Sequence, residues 1–149
     1  MRRIIEDRAQ ALEALNKAEV IHLALCDEDG PYSVPVNFAA TQDVLYLHSG
    51  VKGRKFAALR VFPHISFSAV ASMRPRQGET ACKWGYSFES VIGSGRAMEV
   101  MDPAEKCAGL RLIMEKYAGP GEYAFDERVL EVTALFAIAI EQLTLRIKE

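Results

Sequence analysis

Cysteine is scarce in this chain. The three thiols, Cys26, Cys82 and Cys107, are odd in number, far apart and never spaced as C-x-x-C. That argues against a disulfide framework and a zinc knuckle, and reduced thiols are the expected state. Histidine is equally sparse: His22 shares a face with Cys26 if their strand is regular, but one pair is too few for a metal site, so both read as packing residues and no metal is expected. Excess positive charge is also missing. With 18 Lys and Arg against 20 Asp and Glu, the net charge is -2, which leaves no basic footprint for nucleic acid. No apolar run approaches bilayer length, and the start, MRRIIEDRAQALEALNKAE, lacks the apolar core of a secretory signal. A soluble, cytoplasmic protein without a membrane partner is therefore expected. There is no internal repeat, low-complexity segment or linker, and 149 residues, 50% of them hydrophobic, suffice for one domain spanning 1–149.

One stretch stands out, Gly30 to Lys55, GPYSVPVNFAATQDVLYLHSGVKGRK. Tyr32, Val34, Val36 and Phe38 alternate with Ser33, Pro35 and Asn37, the period-2 pattern of a strand with one buried face and one more polar face. Val44 to His48 reads as its hairpin partner. Pro35 cannot donate to a ladder, so it marks an edge, a bulge or a place where something else approaches. After His48 and Ser49, Gly50 and Gly53 allow a tight turn. Lys52, Arg54 and Lys55 gather at the expected start of a helix running to Val61, whose free amide hydrogens suit a phosphate. Val36, Asn37 and Phe38 offer main-chain groups and one side-chain amide. An aromatic, hydrogen-bonding heterocycle carrying a phosphate would use both halves, and flavin mononucleotide (FMN) is the commonest such molecule. The same elements also occur in proteins that bind nothing there, so spacing alone leaves a purely structural reading open.

The rest of the chain predicts a mixed architecture. A helix is expected from about Asp7 to Lys17, with Ala9, Leu12 and Leu15 on one side. Val20 to Cys26 follows as a strand covered on both faces, with Ala24 under a helix, and Asp27 to Gly30 is its turn. From His64 to Ala71 a strand sets Ile65, Phe67 and Ala69 against Ser66 and Ser68, and Ser72 to Gly85 reads as a long mobile loop. Tyr86 to Val100 is a long strand in which Gly93 and Gly95 mark a bulge or bend. Asp102-Pro103-Ala104-Glu105 opens a helix with a capping carboxylate and proline at the first helical position, and Gly119-Pro120 closes it. In the last segment Phe136, Ile138 and Ile140 keep one parity and Leu143, Leu145 and Ile147 the other, which implies a bulge near Glu141 and Gln142. Six strands with short connections and two or three helices describe a mainly β chain with helices (α+β), a small antiparallel barrel, closed or half-open.

Several of these segments resemble a family. DGPYSVPVNF, LYLHSGVKGRK, the FESVIGSGRA stretch from Phe88 to Ala97 and the DPAEKCAGLRLIMEKY helix are similar, in order and spacing over nearly the whole chain, to the FMN-binding split β-barrels related to pyridoxamine 5'-phosphate oxidase. Within that group they resemble the nitroimidazole-resistance branch. The resemblance implies that Pro35, Val36, Asn37 and Phe38 lie along the isoalloxazine edge, that His48 and Ser49 sit beside the flavin, and that Lys52, Gly53, Arg54 and Lys55 hold the phosphate. It also implies a homodimer with FMN in clefts between subunits, where Glu89, Ser90 and Val91 contact a cofactor held mainly by the other chain. Leu143-Thr144-Leu145-Arg146 stands where the family often has Leu-Thr-Gly-Lys; with the glycine missing, no role for Arg146 follows. LTLRIKE does not reproduce the arginine-bearing end with which pyridoxamine phosphate oxidases grip their substrate, which argues against pyridoxal phosphate synthesis.

The implied activity is that of an FMN-dependent reductase or oxidase acting on a small molecule, a nitroaromatic among the candidates. The alternatives are a flavin-binding carrier or sensor without a substrate, and a haem-handling relative. Flavin carries its own redox chemistry, so no nucleophile is required. His48 reads either as a catalytic proton donor or as a hydrogen-bonded strand end. Trp84 either covers the cofactor or packs on its own domain. Arg74 and Arg76 either meet an anionic substrate or stay solvated.

Overall fold

The structure, a computed structural model, describes residues 1–149. An 8-stranded antiparallel sheet runs in the order β3-β2-β6-β7-β8-β5-β4, with β1 added on β8. Its strands are β1 (Arg2–Ile5), β2 (Ile21–Asp27), β3 (Gly30–Val36), β4 (Ala39–Ala40), β5 (Val44–Gly50), β6 (His64–Arg76), β7 (Gly85–Glu99) and β8 (Thr133–Lys148). The helices are α1 (Arg8–Lys17), α2 (Arg54–Val61), α3 (Pro103–Ala118) and α4 (Glu127–Val132). β3 and β4 end the path without pairing to each other, so this is a split barrel. Two short strands, β1 and β4, add to the six that periodicity indicates. Both are too short to show a period.

The inner face is lined by alternate residues of each long strand, among them Leu23, Leu47, Phe67, Val91 and Ile138, and α1 inserts Ala11, Ala14 and Leu15 among them. Ala9, expected on that inner side, is exposed. A smaller cluster under α3 joins Leu110 and Ile113 to Ala39 and Leu135. Asp102 caps α3 by accepting from the Glu105 N–H at 3.0 Å, and Gly119 closes it at φ 87°, as the local signals required. β8 changes parity where expected: Ser94 pairs with Gln142 and Gly95 with Ile140, leaving Glu141 as the bulged residue.

Three expectations are corrected. The partner of β3 is β2, closed by the Asp27 to Gly30 turn, while β5 pairs with β8; only Ala39 and Ala40 reach β5 from this side. β3 is thereby an edge strand, and an edge is where Pro35 costs no ladder bond. β2 is covered on one face only, with His22, Ala24 and Cys26 exposed. Finally, Ser72 to Arg76 is no loop but continues β6, paired with Gly85 to Glu89 beyond a bulge between Val70 and Ser72. That bulge shifts the register and so removes the alternation by which the strand would have been recognised.

Candidate functional site

The start of α2 departs from what helix stability favours. Gly53, at φ 103°, is its N-cap and supplies no side-chain hydrogen bond, no acidic residue occupies the first turn, and Arg54 and Lys55 place two cations there instead. Ala57 N–H donates to the Gly53 carbonyl at 3.1 Å, while the N–H groups of Arg54, Lys55 and Phe56 have no acceptor within the chain. A helix start carries partial positive charge, so cations there repel it and an anion relieves both. Such a local conflict marks functional sites more often than scaffolds.

The cations of this corner differ in how they are held. Arg54 makes a bidentate pair with Asp27, Nε to Oδ2 at 2.7 Å and Nη2 to Oδ1 at 2.9 Å, and lies 4.4 Å above the Tyr32 ring centroid. Its hydrogen bonds hold the Asp27 carboxyl below its ordinary pKa. Lys52 and Lys55 form no ion pair. Lys55 is partly buried, and that burial pushes its ammonium pKa down. His48, on the exposed face of β5, lies close enough to feel the charge: desolvation first, then Lys55, lower its pKa, which favours the neutral imidazole. Ser49 is buried, its hydroxyl donating to the Gly50 carbonyl at 2.8 Å.

The register of β4 on β5, Ala39 opposite Tyr46, carries the residues before it toward the His48 end of β5. Pro35 through Phe38 therefore approach the same region, but their groups are partly committed. Val36 and Phe38 are buried. The Asn37 side-chain amide donates to the Glu19 carbonyl at 3.3 Å, and the Phe38 N–H donates to the Tyr117 hydroxyl at 3.1 Å. Tyr117 in turn donates to the Glu19 carbonyl at 2.6 Å, and Lys116 to the Ala18 carbonyl at 2.7 Å. The Lys116 ammonium also sits 3.2 Å from the Phe38 ring centroid. Burial pushes Lys116 down to about 8, opposed by the Glu19 charge; the ring face, too, favours the ammonium form. The last turn of α3 thus clamps the Asn37-Phe38 segment. The sequence signals give the start and end of α3 but not this role, because no periodicity signals a hydroxyl and an ammonium aimed at carbonyls near residue 18.

Glu89, Ser90 and Val91 lie elsewhere in the chain. His48 is opposite Leu135 and Ser90 opposite Arg146, toward the two ends of β8. Val91 is fully buried in the core. Arg74 and Arg76 are exposed on β6, and Trp84, 54% exposed, follows the short turn Ala81–Lys83. No group of three or more His, Cys, Asp and Glu side chains is arranged to hold a metal ion, and no helix is long and apolar enough to cross a membrane.

Residues 7–147 match the family of pyridoxamine 5'-phosphate oxidase. The chain belongs to that family. No curated protein matches it. Among solved structures it is similar to a protein provisionally assigned to 5-nitroimidazole antibiotic resistance from Bacteroides thetaiotaomicron, with a TM-score of 0.87 at 24% identity over 99% of this chain and 87% of that one. A protein from Mycobacterium smegmatis described as binding FAD and haem gives 0.87 at 18% identity, covering 98% and 73%. An FAD-binding protein from Mesorhizobium loti gives 0.71 at 22%, covering 100% and 99%. At these identities the likeness is one of fold. It agrees with the split barrel of this pyridoxamine 5'-phosphate oxidase family member.

Proposed function

We propose that this chain binds a flavin, FMN, by its phosphate at the start of α2, and acts as a flavin-dependent oxidoreductase on a small molecule. The observation that carries the proposal is the uncapped, doubly cationic start of α2 with its unpaired N–H groups. The phosphate half of FMN fits these residues: Lys52, Lys55 and the amides of α2 supply positive charge and donors, and Gly53 lets the backbone come close. The ring half fits more narrowly, since the Phe38 N–H is taken by Tyr117 and one amide hydrogen of Asn37 by Glu19. Asn37 keeps its other N–H and its carbonyl for a ring edge. The Mesorhizobium and Mycobacterium neighbours, which bind FAD by their descriptions, support a flavin. The visible spectrum of purified protein tests the reading: a flavin spectrum that releases FMN on denaturation supports it. A colourless protein that takes up no flavin, or a haem spectrum, overturns it; release of FAD would retain the flavin but reject FMN.

A bound flavin supplies the hydride and electron transfer. What the chain adds is position and one proton-handling group. His48, whose lowered pKa favours the neutral imidazole, can accept and return a proton at the edge of the site. His48→Ala should therefore keep the flavin spectrum and slow turnover of a quinone or nitroaromatic at least about tenfold, roughly 1.4 kcal/mol of barrier. The wild-type rate should titrate with an apparent pKa below 6.5, because the folded-state pKa is lowered. An unchanged rate in the variant, measured by stopped flow after reduction with NADH or NADPH, removes His48 from the mechanism. Absence of turnover on every acceptor identifies a flavin-binding module without a substrate.

The working unit we propose is a homodimer. Across the outer face of the sheet, Ala24, Ser66 and Ser94 form one cross-strand row and His22, Ser68 and Ile92 another, with Val70 beside them. Val70 is 52% exposed and Ile92 40%, and this face of small and apolar side chains lets a second sheet approach closely. Sedimentation should give twice the 16.5 kDa chain mass; a flavin-loaded monomer in dilute solution removes the dimer.

A further inference from the structure

Arg54 carries five N–H donors, and the chain accounts for one side of its fork. Nε and Nη2 bind the two oxygens of Asp27, and Nη2 also approaches the Gly30 carbonyl at 3.5 Å. The Tyr32 ring, 4.4 Å away, supports the guanidinium face. Asp27 is itself fixed, since its Oδ1 also accepts the Asp29 N–H at 3.0 Å. Nη1 alone makes no hydrogen bond within the chain. An exposed ion pair contributes little to stability, so two hydrogen bonds, a ring and a carbonyl on one exposed arginine amount to more ordering than a surface strap needs.

We propose that Asp27 is a positioning residue of the phosphate corner: it grips Arg54 along the Nε and Nη2 edge and leaves Nη1 as the donor for the phosphate of the bound ligand. The inference rests on the flavin-phosphate reading of the α2 start. It assigns Asp27, on the β2–β3 turn, a role carried entirely through Arg54. The carboxylate repels a phosphate directly, so the effect of removing it has a diagnostic sign. A residue that merely competes for Arg54 would weaken phosphate binding, and its loss would strengthen it; a positioning residue does the reverse.

The experiment compares affinities for FMN and riboflavin, by quenching of flavin fluorescence, in wild type, Asp27→Ala, Asp27→Asn, Arg54→Ala and the Asp27→Ala/Arg54→Ala pair, with thermal unfolding recorded for each. Asp27→Ala should lower the ratio of FMN to riboflavin affinity about tenfold, the scale of one charge-assisted bond. Asp27→Asn, which keeps one acceptor for the fork, should fall between; it is also the variant to rely on if the alanine form does not fold. In the Arg54→Ala background the Asp27 change should add nothing further, the non-additivity expected of two residues acting as one unit. An unchanged or raised ratio in Asp27→Ala overturns the inference alone, as does a loss that persists without Arg54. A wild type that binds neither flavin, or binds both equally, overturns the phosphate reading and this inference with it.

Discussion

The Arg54→Ala/Lys55→Ala chain is expected to fold normally and to be isolated without flavin. Neither residue belongs to the buried core, and the helix they open is held by Ala58 and Leu59, both buried, and by Phe56, whose ring meets Phe136 edge to face at 6.1 Å between centroids. Removing two cations from a helix N-terminus relieves unfavourable charge there, so the fold has little to lose. The ligand loses much more. Lys55 is unpaired and partly desolvated, which strengthens any hydrogen bond it makes with an anion. FMN affinity should drop about a hundredfold or more when two charge-assisted hydrogen bonds to the phosphate are removed together, with riboflavin affinity falling far less. Equal losses for the two ligands would place the phosphate away from α2.

Gly95→Ala is expected to produce the largest loss of stability of any single methyl addition near the sheet bulge. A Cβ built at Gly95 lies 2.2 Å from the Ala139 carbonyl oxygen and 2.8 Å from the Ile138 Cγ2. The first is backbone of β8, paired on both sides with β7 and β5, and cannot rotate away as a side chain does. Gly95 also stands where the β7–β8 register shifts, so displacing it disturbs the bulge that turns Ile140 and Leu143 both inward. Overpacking of this kind costs about 3 kcal/mol or more. Gly50→Ala, where the nearest atom is 4.0 Å away, is the matched control. Urea midpoints that coincide for the two variants would show that the bulge relaxes freely.

Much of the architecture was legible because its signals are local. The capping carboxylate, proline and glutamate from Asp102 to Glu105 mark the start of α3 whatever surrounds it, since the cap bond spans three residues. The parity change between Ile140 and Leu143 reveals the β8 bulge, because both sets must face one core. The same logic failed at Val70 to Ser72, where a bulge lies within a stretch whose outer half is exposed on both faces, so no apolar parity survives to be read. At the site, Lys52, Arg54 and Lys55 were visible as a cluster, and His48 as the histidine next to it. Their different commitments were not: Arg54 is tied to a carboxylate from another turn, whereas Lys55 is unpaired.

Short-range signals in the sequence mark β2, β3, β5, β6 as far as Ala71, β7 and β8 together with α1, α2 and α3; they also show where α3 starts and stops, and that cations and glycines meet at the head of α2. These follow from interactions spanning a few residues, or from a repeat that each segment carries alone. Long-range packing is what joins β3 to β2 rather than β5, sets β8 between β7 and β5, lets Asp27 grip Arg54, and brings Lys116 and Tyr117 to clamp the chain around Glu19 and Phe38. Each of those outcomes is a choice of partner. A backbone donor or a charged group satisfies its chemistry with any acceptor of the right kind, so the choice is made by which elements the shared core brings within reach.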